Sequence, residues 1–470
     1  MIMPVILWTD ALLFVLVAVI TGFVLYARKR EHLREPWLDV LRNRLAMASL
    51  VVLLAYVVVG LLDSLHLRQA LPEEDGQTET QYSGDVLSAL DLLMGPVRTQ
   101  VETTYSSPFA AYAFARETVI GDDGVQRREH PRLVYGGAHL DNPAADRGAD
   151  ILYRSLIALT QAALFMGVVF AVLTLWLSRR HKASFNATAG RILTGDLDLP
   201  WRTALGTLAA LAALVALTIN LGTVYHLFGT DKVGQDVFYQ SVKSIRTGLV
   251  IGTLTTLIML PFAIFLGMMA GYFGGWIDDV IQYLYTTLNS IPGVLLIAAA
   301  VLMLQVYMNN HPEMFETMAE RADLRLLFLC MILGITSWTG LCRLLRAESL
   351  KLKELEYVQA AGAFGVSSAR ILVRHLLPNL MHLVLISVAI DFSGLVLAEA
   401  VLSYVGVGVD PTTLSWGNMI NRARLEMARD PMVWWSLLSA FTLMFALVLA
   451  ANLFADSVRD AFDPRLKQRG

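Results

Sequence analysis

Charge is scarce in this 470-residue chain: Asp, Glu, Lys and Arg make up only 16% of it, against about 25% in ordinary globular chains. Apolar residues account for 56%, which points away from a soluble domain and toward a polytopic membrane protein. Neither sign dominates, with 37 bases against 40 acids, so no general nucleic-acid signal exists. Cysteine is nearly absent. Cys330 and Cys342 share one apolar run, and their spacing is roughly 18 Å along a helix, too far to bridge. No G-x-x-x-x-G-K-[ST] phosphate loop occurs, so the chain does not bind ATP itself in the usual way. His375 and His382 lie outside any H-E-x-x-H pattern, and a zinc hydrolase is not supported. No catalytic residue, bound metal or resident cofactor is expected, and the chain reads as a non-enzyme.

What the chain has instead is long apolar runs. A spanning helix needs about 20 apolar residues, and nine segments qualify: Val5–Ala27, Leu45–Leu62, Ile151–Leu177, Thr203–Leu221, Leu249–Met269, Val280–Val306, Leu326–Leu341, Leu380–Leu402 and Val433–Phe454. Each must be helical, because backbone polar groups cannot go unpaired in lipid. The fold class is therefore all-α. Bases cluster in "RKREHLREPWLDVLRNR" (28–44), "SRRHK" (178–182), the 350–378 segment and "VRDAFDPRLKQRG" (458–470). Nine spans put all four on one side, which the positive-inside rule makes the cytoplasm. The N-terminus is then outside and the C-terminus inside; "GYFGGWIDD" (271–279), cytoplasmic yet without a base, is the mild exception. The first run ends in "ARKR" and reads as an uncleaved span with a cytoplasmic anchor. Residues 63–150 form an outer segment in which "LPEEDGQTETQ" looks flexible, while "DVLSALDLLMGPV" and "SSPFAAYAFARE" carry enough apolar residues to pack. A disordered tether is the plainer alternative.

The segment "EYVQAAGAFGVSSARILVRHLLPN" (356–379) is too polar for lipid and crowded with small residues. Leu352, Leu355, Val358 and Ala361 recur at helical spacing and predict an amphipathic helix. Gly365 marks a turn, since glycine alone takes positive φ cheaply. Ser367 stands where a second helix needs a cap, Arg370 and Arg374 share a face of it, and Pro378 is expected to end it. Small side chains at such a bend let another surface approach the backbone, which suits docking into a groove on a cytoplasmic partner. A solvated connecting loop is the competing reading.

Polar residues inside the apolar runs are the other candidates. Asp391 and Glu399 fall in one span, where ionisable groups are functional hypotheses by default; a contact for passing cargo and an interhelical hydrogen bond both fit. Asn289 and Pro292 in "LNSIPGVLL" are expected to loosen or kink their helix beside a path or gate. "YVGVGVDPTTLSWGNMI" (404–420) is too broken for a helix and too apolar for open water, and "GTDKVGQD" (229–236) is expected on the same outer face.

"QAAGAFG", followed after nine residues by "HLLP", resembles the EAA loop of bacterial ABC importer permeases (E-A-A-x3-G-x9-I-x-L-P), with Gln359 at the Glu position and His375 at the Ile position. Further blocks resemble the second permease of the dipeptide/oligopeptide group: "HLFGTDKVGQDVF" (226–238), "GMMAGYFGGWIDDVI" (267–281), "SIPGVLL" (290–296), "RLLRAESLKLKELEYVQAAGAFGVS" (343–367), "EAVLSYVGVGVDPTTLSWGNMI" (399–420) and "RDAFDPRL" (459–466). The resemblance implies a type I ABC importer permease in a bacterial inner membrane. Its partners would be a second related permease, two cytoplasmic ATPases that consume the ATP, a periplasmic or lipid-anchored binding protein, and membrane lipid. Glu356, Gln359, Ala360, Ala361, Gly365, Ser367, Arg370 and Pro378 would form the ATPase-coupling loop. Domain limits on this reading are 1–62 (N-terminal helices), 63–150 (periplasmic insertion), 151–225 (an additional helix pair) and 226–470 (permease core). Two readings from other classes are an ion-coupled secondary transporter working through Asp391 and Glu399, and a membrane sensor. The sensor would want a cytoplasmic signalling domain, for which the final segment is too short.

Overall fold

A computed structural model of the chain describes residues 2–70, 82–120, 126–314 and 317–462. The expected flexible run 71–81 lies outside the described residues. The first helices are α1 (Trp8–Arg28), α2 (Glu31–Arg42) and α3 (Arg44–Asp63). Residues 63–222 hold α4 (Ala89–Leu93), α5 (Gly95–Thr99), α6 (Pro143–His181), α7 (Phe185–Thr194) and α8 (Trp201–Gly222). Next come α9 (Val237–Phe273), α10 (Gly275–Ser290), α11 (Gly293–Asn310), α12 (Met318–Ser337) and α13 (Thr339–Lys353). The chain continues with α14 (Glu356–Ala363), α15 (Ser368–Ile371), a π turn over Leu372–Leu376, α16 (Leu377–Tyr404), α17 (Trp416–Glu426) and α18 (Trp435–Phe462). Among the described residues nine helices are long and apolar enough to cross a membrane. Strand content is slight: β1 (Ile2–Val5), β2 (His66–Gln69) and β3 (Leu87–Ser88) form one sheet in that order, and β4 (Glu117–Ile120) pairs antiparallel with β5 (Gln126–Glu129).

Two compact units result, one from Met1–Pro4, Leu38–Arg246 and Leu414–Ala450, the other from Val5–Trp37, Thr247–Thr413 and Ala451–Gly470. In the first, α6 packs along α8, and α8 packs against α3. "DVLSALDLLMGPV" does fold: Ser88 and Asp91 close a capping box on α4, which satisfies two otherwise orphaned backbone donors. In the second unit α1 packs along α12 and α13 along α16. Its core gathers Met259, Ala263, Leu345, Val358, Ile371, Leu376 and Leu380, all nearly inaccessible. Helices α9 and α13 meet through two glycines. A Cβ at Gly267 would lie 2.8 Å from the Cys342 carbonyl, and one at Gly271 would lie 2.4 Å from the Ser349 Cβ. Both cysteines are buried and unpaired.

The expected span Val280–Val306 is not one helix. α10 stops at Ser290, Ile291 is extended (φ −87°, ψ 128°) and Pro292 becomes the N-cap of α11. Proline has no N–H to donate and pushes the residue before it out of helical geometry, so Pro292 separates two helices rather than kinking one. The run Leu326–Leu341 is part of a longer rod: Trp338 keeps helical angles between α12 and α13, and the continuous 36-residue helix is about 54 Å long. Residues 404–420 divide as well. Ser415 accepts the Asn418 N–H at 3.0 Å and starts α17 at Trp416, so "WGNMI" is helical where a broken segment was expected.

Candidate functional site

The elbow between α13 and α16 is built on a break, a helix end and a bulge. The amphipathic helix expected through Leu350–Ala361 is interrupted: α13 ends at Lys353, and Leu355, extended at φ −71° and ψ 139°, starts α14. Leu355 is therefore exposed, while Val358 at 3% exposure anchors α14 in the core. Gly365 (φ +77°) ends α14 in a Schellman arrangement. Its N–H bonds the Gly362 carbonyl at 3.0 Å, and the Val366 N–H bonds the Ala361 carbonyl at 3.1 Å. Ala361 and Val366, the two positions whose hydrophobic contact accompanies this cap, each pack against the core.

Ser367 occupies the N-cap of α15 but makes no side-chain cap bond; its carbonyl alone engages the Arg370 and Ile371 N–H groups. Pro378 does not end the helix, which runs on from Ser368 to Tyr404. In the π turn just before it the Leu377 N–H reaches back to the Leu372 carbonyl. That extra residue widens the turn where the proline ring would otherwise strike the preceding carbonyl. Ile371 and Leu376 are buried beneath, and Arg370 and Arg374 remain exposed.

The outward surface of the elbow is apolar, small and nearly neutral. Gln359, Ala360, Gly362, Ala363 and Gly365 are exposed, and Phe364 is 87% exposed. The Gln359 amide lies 3.3 Å from the Glu354 carbonyl and 3.4 Å from its carboxylate. Asn379 donates to the Tyr357 hydroxyl at 3.0 Å, tying α14 to α16. At the base, Arg346 of α13 grips Asp278 of α10 through two bonds of 2.5 and 2.6 Å, the bidentate geometry of a strong ion pair. Arg346 holds the Asp278 carboxyl below its ordinary range against the opposing effect of burial. Sequence reasoning does not single out Phe364 and Tyr357, because Tyr357 falls off the apolar period of the segment and Phe364 stands just past the end of α14.

The intramembrane candidates are not brought together. Glu399 is buried and accepts the Ser403 hydroxyl at 2.7 Å. Asp391, two turns earlier on α16, is half-buried and makes no bond to Glu399. Asn289 accepts the Thr339 hydroxyl at 3.1 Å, linking the end of α10 to the start of α13.

In the first unit a buried charge cluster seats the loop 229–236. His226 bonds Asp236 at 2.8 Å and Glu102 at 3.3 Å. Glu102 also accepts the N–H groups of Val134, Tyr135 and Gly136 at 2.8 to 3.0 Å, and its own N–H donates to the Gly234 carbonyl at 2.9 Å. Any side chain at Gly234 would strike the Glu102 carbonyl, which is 1.8 Å from the Cβ position. Burial opposes the charge on each partner, yet His226 and the three N–H groups hold the Glu102 carboxyl at about 2. The two carboxylates raise His226 to about 9. Beside this cluster Lys243 bonds Asp91 at 2.7 Å and lies 3.4 Å from Asp63. The expected outer loop "GTDKVGQD" is thus packed into the segment around Glu102.

Residues 263–468 match the family described as binding-protein-dependent transport system inner membrane component. The chain is 30% identical over 239 residues to the oligopeptide transport system permease protein OppC of Mycobacterium tuberculosis, covering 51% of this chain and 76% of the relative. The chain belongs to this permease family. It is also 31% identical over 242 residues to the glutathione transport system permease protein GsiD of Pectobacterium atrosepticum, covering 52% and 73%. Identity to the dipeptide transport system permease protein DppC of Bacillus subtilis is 30% over 243 residues, covering 52% and 70%. The family region of this permease holds the whole elbow, Asp391 and Glu399, and it begins inside α9. It is a multi-pass inner-membrane transport component and not an enzyme, which favours the importer reading over an ion-coupled carrier.

Proposed function

We propose that this permease is one transmembrane subunit of an ATP-driven importer for peptides or peptide-like solutes, with the elbow as the surface on which an ATPase acts. One observation carries the coupling role: a water-exposed Phe364 on a turn whose underside is fixed by Val358, Ile371 and Leu376. A rigid apolar knob among small residues is what a protein groove can grip. Because this chain has no phosphate loop, energy enters mechanically, as movement of the gripped elbow passed to the α12–α13 rod and to α16. Reversing a pore from 1:99 to 99:1 takes about 5.5 kcal/mol of differential binding, within reach of two ATPases closing on nucleotide.

The partners on this reading are a second related permease, two cytoplasmic ATPases and an exported binding protein. Residues 63–150 form an outer insertion that helps position the binding protein, 151–225 an added helix pair, and 226–470 the permease core. The N-terminus lies outside and the C-terminus in the cytoplasm. Asn289, Pro292, Asp391 and Glu399 border the translocation path. Vesicles holding all subunits should take up peptide only with ATP inside the ATPase compartment, and uptake should survive an ionophore. Uphill uptake by vesicles holding this chain alone would overturn the proposal, as would Phe364→Cys crosslinks that never reach an ATPase.

A further inference from the structure

The carboxylate of Asp391 sits midway between Leu380 and Leu402, the ends of the apolar run in α16. Among the described residues it has no hydrogen-bond or ion-pair partner. Glu399 on the same helix, by contrast, is sealed by Ser403. An ionisable group at that depth is tolerated only where it meets another protein group or a polar conduit.

Two observations fix where Asp391 stands. The ring of Phe392, its neighbour, fills the notch left by Gly252 of α9, where a Cβ would lie 2.5 Å from the ring. That contact sets the rotation of α16. Ile390, Leu397 and Val401 are then open, and Gly394 has empty space at its Cβ position. Ser387, Asp391, Gly394 and Ala398 recur at spacings of four, three and four, which aligns them along one side of a helix. The stripe therefore offers a carboxylate, a hydroxyl one turn before it, and a side-chain-free gap one turn after it.

We propose that Asp391 is a contact in the translocation path for the positively charged amino group of the cargo. The inference rests on the peptide-import reading above, since an unmodified peptide carries an α-ammonium whatever its side chains. An ammonium presents three donors; a carboxylate with a flanking hydroxyl and a gap for the substituent accepts them without a large side chain in the way. A base supplied by the second permease is the competing occupant.

The test uses the complete transporter in vesicles, with Ala398→Cys, which lies on the same stripe and makes no contact in the proposed site, as a reporter, since both native cysteines of this chain are buried. Cationic and anionic thiol reagents of similar size are compared in the presence and absence of Asp391→Asn. The expected result is preferential cationic labelling that falls by about fivefold in the double variant. A peptide with a free amino terminus should slow the cationic reagent more than its N-acetylated counterpart does. Three results would overturn the assignment: no labelling by either reagent, a preference unchanged by Asp391→Asn, or equal protection by both peptides. Failure of the underlying reading is recognised separately, as absence of ATP-dependent peptide uptake in the parent transporter.

Discussion

The carboxylate of Asp323 accepts the backbone N–H of Thr9 at 3.1 Å, across 314 residues of sequence. Thr9 is the second residue of α1, and the N-cap Leu7 supplies no side-chain acceptor. A helix from the middle of the chain therefore caps the first one. Its other oxygen takes the Thr9 hydroxyl, and in the next helix, α2, Trp37 meets Phe462 edge-on at 5.3 Å. Asp323→Ala should cost about 1–2 kcal/mol, read as a lower unfolding temperature in detergent and faster proteolysis near residue 8. Asp323→Asn keeps an acceptor and should lose less; equal losses would show that the cap is not the source.

The Glu102–His226 pair sets a pH window for the first unit. His226 is raised from 6.5 to about 9, so its contribution is full below pH 6.5 and is lost as pH rises through 9. Glu102 is lowered from 4.5 to about 2, so its contribution is present above pH 4.5 and is lost as pH falls through 2. Hydrogen-exchange protection of the Val134–Gly136 amides should accordingly be greatest between these limits. On the alkaline side it should drop as His226 loses its proton and the two carboxylates lose their charged partner. His226→Gln should flatten the alkaline limb, and an unchanged limb would contradict the pairing.

Gly365 and Phe364 separate shape from grip. Gly365→Val has open space around it but must adopt positive φ, at about 1–2 kcal/mol, and should lower ATPase co-purification about tenfold with insertion intact. Phe364→Ser removes an exposed ring and should leave the unfolding temperature unchanged while ATPase association falls comparably. Full association in both variants would show that the elbow is a bystander.

Gln359→Glu returns the acidic residue of the EAA pattern. It also brings a second carboxylate beside Glu354, now 3.4 Å from the Gln359 amide. Both groups are exposed, so repulsion should cost about 0.5 kcal/mol and uptake should stay within about threefold of the parent. Adding Glu354→Gln should restore it; a complete loss of uptake that this second change leaves in place would place Gln359 itself in the contact.

The sequence by itself determined the helical membrane architecture, the position of the elbow and the need for glycine at 365. Each of these follows from a local property: apolar run length, the density of small residues, and the φ that one residue must adopt. Local pattern misjudged Leu355, Ser367 and Pro378 because a break, a cap and a π turn depend on which neighbours bury Val358, Ile371 and Leu376. Only the tertiary structure decided that Asp323 caps α1 and that Glu102 holds His226 across 124 residues. A buried charge finds its partner through space, and no spacing along the chain encodes that meeting.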